Sequence, residues 1–77
     1  MMPLDAAQLA ALQAVAAGTV TRKSMMRGAP MYRVRGFFGN LDQAPFEFLA
    51  AEAYITLEEE PAVLLTGRGT FYLESLS

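Results

Sequence analysis

The sequence contains neither cysteine nor histidine, and these two absences exclude much of the chemistry open to a small protein. Without cysteine the chain forms no disulfide and offers no thiolate as a nucleophile or metal ligand. Without histidine it lacks the usual general base near neutral pH and the commonest metal ligand. We therefore predict that the protein is not an enzyme, holds no metal or cofactor, and has no small-molecule substrate.

Long apolar runs and a basic N-terminal start are also missing, so we expect no membrane-spanning segment and no signal peptide. A cytoplasmic location is the resulting expectation. With 77 residues, the chain is predicted to form one domain, 1–77, near the lower limit for folding around a single core. Because 53% of the residues are hydrophobic, so short a chain cannot bury them all, which favours an exposed apolar patch or an oligomer.

The clearest predicted helix covers residues 4–17, where apolar residues recur at helical spacing. Asp5 is placed to cap its N-terminus, Gln8 completes a capping box, and Gly18 suits the position after its end. The predicted buried stripe of this helix contains Leu9, Leu12, Val15 and Ala16.

A basic β-hairpin is predicted next, from residues 19–23 and 31–35, with turn-forming residues 26–30 between them. The paired phenylalanines within residues 36–40 predict a packed loop, or a bend that seats one ring in the core. A short helix over 45–54 then starts at Asp42 or Ala44, with Pro45 in its first turn. Its predicted apolar face contains Phe46, Leu49, Ala50 and Ala53.

A second hairpin is predicted from residues 55–57 and 62–65, which are separated by the break at 59–61. The tail, 67–76, has two alternatives. Thr66 caps a final helix with Tyr72, Leu73 and Leu76 inward, or the glycines turn the chain into a last strand, which propensity slightly favours. These elements predict an α+β domain with the order α-β-β-α-β-β-α, the last element being a helix or a strand.

A run near the C-terminus combines Leu-Thr, two residues, Gly, two residues and Tyr-Leu, carried by Leu65, Thr66, Gly69, Tyr72 and Leu73. This run resembles the ending that follows the wing in many winged helix-turn-helix regulators. The resemblance implies a winged-helix-like domain with a helical tail, in which residues 45–54 correspond to the recognition helix and 55–66 to the wing. In the first half, the hairpin within 19–36 stands where the family has the first helix of its helix-turn-helix.

Charge is distributed unevenly along the chain. Residues 1–36 hold five basic residues and one acidic residue, a net charge of +4, whereas residues 37–77 hold one basic and seven acidic residues, a net charge of −6. These values reproduce the overall charge of −2. The predicted recognition helix and wing carry glutamates and no lysine or arginine, so contact with a DNA groove through them is not expected.

The basic hairpin supports a nucleic-acid-binding hypothesis, in which its cations contact phosphates. In its second strand, Arg33 and Arg35 are predicted to point away from the face of Tyr32 and Val34. The alternative is that these arginines keep a small apolar domain in solution. The candidate binding residues are Arg22, Lys23, Arg27, Tyr32, Arg33 and Arg35.

Contact with a protein partner is the leading hypothesis, because the basic hairpin of one copy is suited to the acidic helix or wing of another. The candidate acidic residues are Glu47, Glu52, Glu58, Glu59 and Glu60. For the last three, the alternative is a solvated turn that protects a sheet edge. We therefore expect a small non-catalytic regulatory or adaptor protein, a homodimer acting by protein–protein contact, with a nucleic-acid-binding regulator as the alternative.

Overall fold

The computed structural model describes residues 3–24, 27–36 and 41–76. In this part of the chain, helices and strands follow one another in the order α-β-β-α-β-β-α, which confirms the predicted α+β class and order, with a helix as the last element. The helices are α1 (Ala6–Ala16), α2 (Gln43–Ala51) and α3 (Gly67–Ser75), and the strands are β1 (Val20–Lys23), β2 (Met31–Val34), β3 (Ile55–Thr56) and β4 (Leu64–Leu65).

Helix α1 begins at the predicted capping box. The carboxylate of Asp5 accepts a hydrogen bond from the backbone N–H of Gln8 at 2.7 Å, and the Gln8 side chain accepts one from the Asp5 N–H at 3.0 Å. Gly18 follows the helix with a φ of +76°, a conformation that glycine adopts without steric cost. Ala16, predicted to be buried, is exposed, because the inward stripe runs along other positions. The buried residues of α1 are Ala11, Leu12 and Val15.

Strands β1 and β2 form an antiparallel ribbon. The paired residues are Val20–Val34, Thr21–Arg33, Arg22–Tyr32 and Lys23–Met31. Both outer edges of the ribbon are covered. The Arg22 N–H donates to the carbonyl of Pro61 at 2.8 Å, and the Leu41 N–H donates to the carbonyl of Tyr32 at 2.8 Å. Because the edges are covered, the exposure of each basic side chain depends on which broad face of the ribbon it points from.

Helix α2 is shorter than predicted. Asp42, the earlier of the two predicted starts, is its N-cap and accepts a hydrogen bond from the Ala44 N–H at 3.2 Å. The helix ends at Ala51, because Ala53 adopts a left-handed backbone with φ +62° and the Tyr54 N–H bonds back to the Leu49 carbonyl at 2.8 Å. Glycine is the usual residue at such a helix end. Ala53 is exposed, so its predicted place on the apolar face is wrong.

The buried side chains form one core to which the three helices, the β1–β2 ribbon and β3 contribute. The ring of Tyr32 from β2 stacks on the ring of Phe46 from α2, with 4.6 Å between their centroids. At the C-terminal side, the rings of Tyr54 and Tyr72 meet edge to face with centroids 5.5 Å apart. Aromatic contacts thus join the ribbon to α2, and α3 to the chain that precedes β3.

The remaining differences from prediction concern extent and exposure. Strands β3 and β4 cover two residues each, fewer than expected. Leu76, predicted to point inward, is 54% exposed, because it is the C-cap of α3 and lies past its last packed turn. The paired phenylalanines Phe37 and Phe38, and the start of the predicted turn at Met26, lie outside the described residues.

Candidate functional site

The outer face of the β1–β2 ribbon carries three of the predicted basic residues. Successive side chains of a strand point to opposite faces, and on this ribbon Lys23 and Arg33 point away from the core and are exposed. Arg35 follows β2 in the same alternation, with its N–H bonded to the Thr19 carbonyl at 3.0 Å. We call Lys23, Arg33 and Arg35 the basic outer face. Arg27, also exposed, lies in the connection between the strands.

The basic outer face forms a short row. Arg33 is in β2 and Arg35 is the first residue after it, two positions along the chain, and two residues of extended chain span about 7 Å. Lys23 pairs with Met31 on the neighbouring strand. Met31 is two residues before Arg33, so Lys23 lies on the side of Arg33 away from Arg35. A shallow surface depression beside the row has a volume of about 490 Å³. Its lining includes Arg33 and Arg35 together with Thr19 and Thr21, so hydroxyl groups stand beside the two guanidinium groups.

Two predicted binding residues point the other way, and for Tyr32 the assignment to the binding surface is wrong. Tyr32 is fully buried, because it faces α2 and stacks on Phe46. Arg22 lies on the same inner face, where its Nε donates a hydrogen bond to the Tyr32 hydroxyl at 3.1 Å. These two side chains connect the ribbon to the rest of the fold, and the charge of Arg22 is already paired within it.

Arg22 also forms the ion pair found among the described residues. Its Nη1 lies 3.3 Å from Oε1 of Glu60, and the Ser24 hydroxyl donates to the same oxygen at 2.6 Å. The hydrogen bond from Ser24, helped by the charge of Arg22, lowers the pKa of Glu60 below its ordinary value of 4.5. One contact between the basic hairpin and the acidic segment is therefore made within a single copy.

The five acidic residues predicted for the helix or wing lie in two parts of the chain, α2 with its C-cap and the turn before β4. Glu47 and Glu52 are five positions apart, which separates them by about 140° around a helix. Glu52 lines a cleft of about 520 Å³ with Asp5, Phe48 and Arg68, whereas Glu47 does not. Glu58, Glu59 and Glu60 are exposed in the turn before β4, and the last of them faces Arg22.

The residues that carry the winged-helix resemblance hold the fold together. The hydroxyl of Thr66 caps α3 by accepting a hydrogen bond from the Gly69 N–H at 3.2 Å, and it donates to the carbonyl of Ala53. At Gly69, an added Cβ would lie 2.2 Å from the Tyr54 carbonyl oxygen, so only glycine fits. The hydroxyl of Tyr72 accepts a hydrogen bond from the Leu4 N–H at 3.0 Å. These contacts explain the run structurally and do not form a binding site.

The sequence predicted an exposed apolar patch or an oligomer but not where the exposed residues lie: they are in β4, in α3 and at the C-cap of α3. Phe71 is 71% exposed, and Leu64 and Leu76 are 44% and 54% exposed. The exposure of Phe71 follows once the tail is a helix, because Phe71 then lies about 100° around α3 from the buried Tyr72. The sequence offered this signal, but it depends on choosing the helix over the strand for the tail.

The other features of the described residues are a small groove and the character of the helices. The described residues contain no cluster of three or more acidic side chains that could hold a metal ion. A small apolar groove of about 240 Å³ between α1, β2 and α2 is lined by alanines of α1 with Val34, Leu41 and Phe46. None of the described helices has the length and apolar character needed to cross a membrane.

Comparison with known proteins adds no relative: no family model, curated protein or solved structure matches the chain. The inference of function therefore depends on the surfaces themselves. Two of them stand out in the described part of the chain, the basic outer face of the ribbon and the exposed side of α3.

Proposed function

We propose that the protein is a small non-catalytic regulator that binds nucleic acid by contacting the phosphodiester backbone through Lys23, Arg33 and Arg35. The observation that supports this proposal is the position of the three cations in one row on an exposed face. None of them takes part in an ion pair with another described residue. Their charge is therefore available to an external anion, in contrast to that of Arg22.

The distribution of acidic residues along the chain also favours a nucleic acid as the ligand of the ribbon. The sequence has no acidic residue between Asp5 and Asp42, so no carboxylate of the ribbon competes for these cations. From α2 through β4 the chain contains glutamates and no lysine or arginine. A nucleic acid is expected to lie along the ribbon, and to be repelled by α2 and the turn before β4.

Contacts of this kind give weak binding without sequence preference, because phosphates carry no sequence information. Neutralising three phosphates of a duplex predicts that log K falls with log salt concentration at a slope of about −2.7. Affinity is expected to be measurable at low salt, with a dissociation constant of about 1–100 µM, and to be lost as salt rises.

The test is fluorescence anisotropy of labelled duplex and single-stranded oligonucleotides over a salt series. The double variant Arg33→Ala/Arg35→Ala should bind at least about tenfold more weakly, with the slope reduced by about 1.8. Arg22→Ala is the control from the inner face of the same ribbon, and, once circular dichroism shows that it folds like the wild type, it should retain binding. Absence of binding by the wild type at low salt, or equal loss in the control, contradicts the proposal.

The exposed apolar residues favour a second candidate, a homodimeric regulatory or adaptor protein that acts by protein–protein contact. Leu64, Phe71 and Leu76 leave apolar surface open on β4 and α3, and such surface is commonly covered by a partner. Sedimentation equilibrium at high micromolar concentration tests it, since a strictly monomeric protein contradicts self-association.

Two further expectations from the sequence belong to this proposal. A winged-helix-like domain is supported by the order α2-β3-β4-α3 and by the run within 65–73, whereas the β1–β2 ribbon departs from that family. The second expectation is a cytoplasmic location, which is tested by fractionating cells that produce the tagged protein. Recovery of the protein with membranes or in the medium contradicts it.

A further inference from the structure

The outward side of α3 presents an apolar residue between charges of opposite sign. The side chains on this side are exposed, whereas Gly69 and Tyr72 on the opposite side are buried. Phe71, the most exposed of the large hydrophobic side chains among the described residues, lies at its centre. We call the following set the α3 outer face: Gly67, Arg68, Phe71, Glu74 and Ser75.

The α3 outer face is symmetric in spacing about Phe71. Arg68 precedes Phe71 by three residues and Glu74 follows it by three. Gly67 and Ser75 stand four residues before and after it. Residues three and four apart share one side of a helix, so these positions form a single strip. The strip carries a cation at one end, an anion at the other, and small residues beyond each.

We propose that two copies of this chain form a two-fold dimer through antiparallel contact of their α3 outer faces, with the axis at Phe71. In such a pair each residue before Phe71 meets the residue equally far after Phe71 on the other copy. Arg68 then faces Glu74 of the partner subunit, and the two copies make this contact twice. The inference deepens the second candidate function by naming a second copy as the partner, and it is independent of the basic outer face.

The complementarity identifies a second copy better than an unrelated protein. Binding of an unrelated protein does not require that the charges at the two ends of the strip be opposite and equally spaced. A two-fold contact does require opposite charges at equal distances from the axis. Gly67 and Ser75 also leave room at the flanks, so the helices approach closely and the two Phe71 rings exclude water from each other.

Arg68 already has a contact that suits this role. Its guanidinium lies 4.7 Å from the centre of the Tyr54 ring, and its Nη2 donates to the Tyr54 hydroxyl at 3.5 Å. A guanidinium has five N–H donors and can stack on a ring while its edge binds a carboxylate. Tyr54 holds the Arg68 side chain at the cleft that Asp5 and Glu52 also line, and the proposed dimer requires that the guanidinium donors not used there reach Glu74 of the partner subunit.

The interface is small, because it consists of one helix face with one large apolar side chain. Exposed ion pairs contribute little in water, and stable interfaces bury about 800 Å² on each partner. We therefore expect a weak dimer with a dissociation constant of about 10 µM to 1 mM, populated only at high local concentration.

Sedimentation equilibrium over about 10 µM to 1 mM protein tests the dimer. The wild type should dimerise, and Phe71→Lys should weaken the dimer by about tenfold or more, because it places two cations at the axis. Thr70→Lys is the matched control: it adds the same charge to the neighbouring exposed residue, off the centre of the strip, and should dimerise like the wild type. A monomeric wild type, or equal effects of the two variants, overturns the proposal.

Charge reversal separates the two-fold arrangement from any other use of the same face. Arg68→Glu and Glu74→Arg should each dimerise more weakly than the wild type, because each opposes like charges twice. An equimolar mixture of the two variants should recover a heterodimer, since each contact then joins opposite charges again. Failure of the mixture to recover association, with both variants folded by circular dichroism, overturns the two-fold arrangement.

A measurement without substitution covers the case in which Arg68→Glu fails to fold after losing its contact with Tyr54. Amide NMR signals of the wild type should shift with protein concentration at Arg68, Phe71 and Glu74. Concentration-dependent shifts confined to other elements overturn the proposal. The oligonucleotide titration reports on the ribbon alone, so its failure is distinguishable from failure of the dimer.

Discussion

Both faces of the β1–β2 ribbon carry arginine side chains, and the two faces differ in what those arginines contact. On the inner face, Arg22 bonds to Tyr32 and to Glu60, so its charge is neutralised within the fold. On the outer face, Arg33 and Arg35 are exposed. A count of basic residues treats these positions as equal, whereas strand alternation separates a structural cation from two available ones.

Helix α3 repeats this division. Its inner side contains Gly69 and Tyr72, which contact Tyr54 and Leu4, and its outer side exposes Phe71. In both elements, the residues with a recognisable sequence pattern serve the fold, while the binding candidates are the exposed residues beside them. Inner-side substitutions should therefore reduce the free energy of unfolding, and outer-side substitutions should affect binding alone.

The largest effect is expected for Gly69→Ala. Its Cβ would lie 2.2 Å from a backbone oxygen of Tyr54, and backbone cannot move as easily as a side chain, so we expect a loss of about 2–4 kcal/mol in the free energy of unfolding. Gly67→Ala on the same helix is the control, because its Cβ meets nothing within 4 Å. Urea unfolding measures both, and equal midpoints for the two variants would show that the close approach is not real.

A smaller loss is expected for Thr66→Ala. The substitution removes the cap of α3 and the hydrogen bond to the Ala53 carbonyl, which together predict a loss of about 1–2 kcal/mol. Thr66→Ser keeps the hydroxyl and should recover most of the loss. Thermal unfolding that ranks serine with alanine would contradict the role assigned to the hydroxyl.

Ala53→Gly should change stability in the other direction. Ala53 has a left-handed backbone, with φ +62°, which costs an L-residue about 1 kcal/mol relative to glycine. We expect a gain of about 0.5–1 kcal/mol, reduced by the extra freedom of glycine in the unfolded chain. A loss of stability in urea unfolding would mean that this helix end is not formed in solution.

The smallest effect concerns Glu60 and pH. Because the folded state lowers the pKa of Glu60, its ionised form stabilises the protein above the ordinary pKa, and this contribution is lost as pH falls through the lowered pKa. The stability difference between the wild type and Glu60→Gln should therefore shrink on acidification. Ser24→Ala, which removes the main cause of the shift, should remove most of this pH dependence, and an unchanged dependence would exclude the hydrogen bond as its cause.

The sequence predicted the fold where local signals agree with one another. The capping box at Asp5 and Gln8 and the alternation in β2 identified α1 and the direction of Arg33, because both depend on neighbouring residues only. The end of α2 was missed because an alanine occupies a position where glycine is usual, so no local signal marks it. The position of Arg22 was missed because its partner Glu60 is distant in sequence.

The sequence named the basic residues of the candidate site, but it did not predict which of them share one face of the ribbon. Alternation starting from the buried Val20 places Arg22 inward, but burial of Val20 depends on packing against the helices and not on the strand itself. The dispersion of the acidic residues likewise depends on where α2 ends and on the turn before β4. These are tertiary properties, and no short-range pattern encodes them.

The most direct test of the central claim is an NMR titration of isotope-labelled protein with an oligonucleotide at low salt. The amide signals of Thr21, Lys23, Arg33 and Arg35 should shift progressively, and the shifts should reverse when salt is added. Absence of shifts at low salt, or shifts confined to α2 and residues 58–60, would contradict the assignment of the outer face of the ribbon as the binding surface.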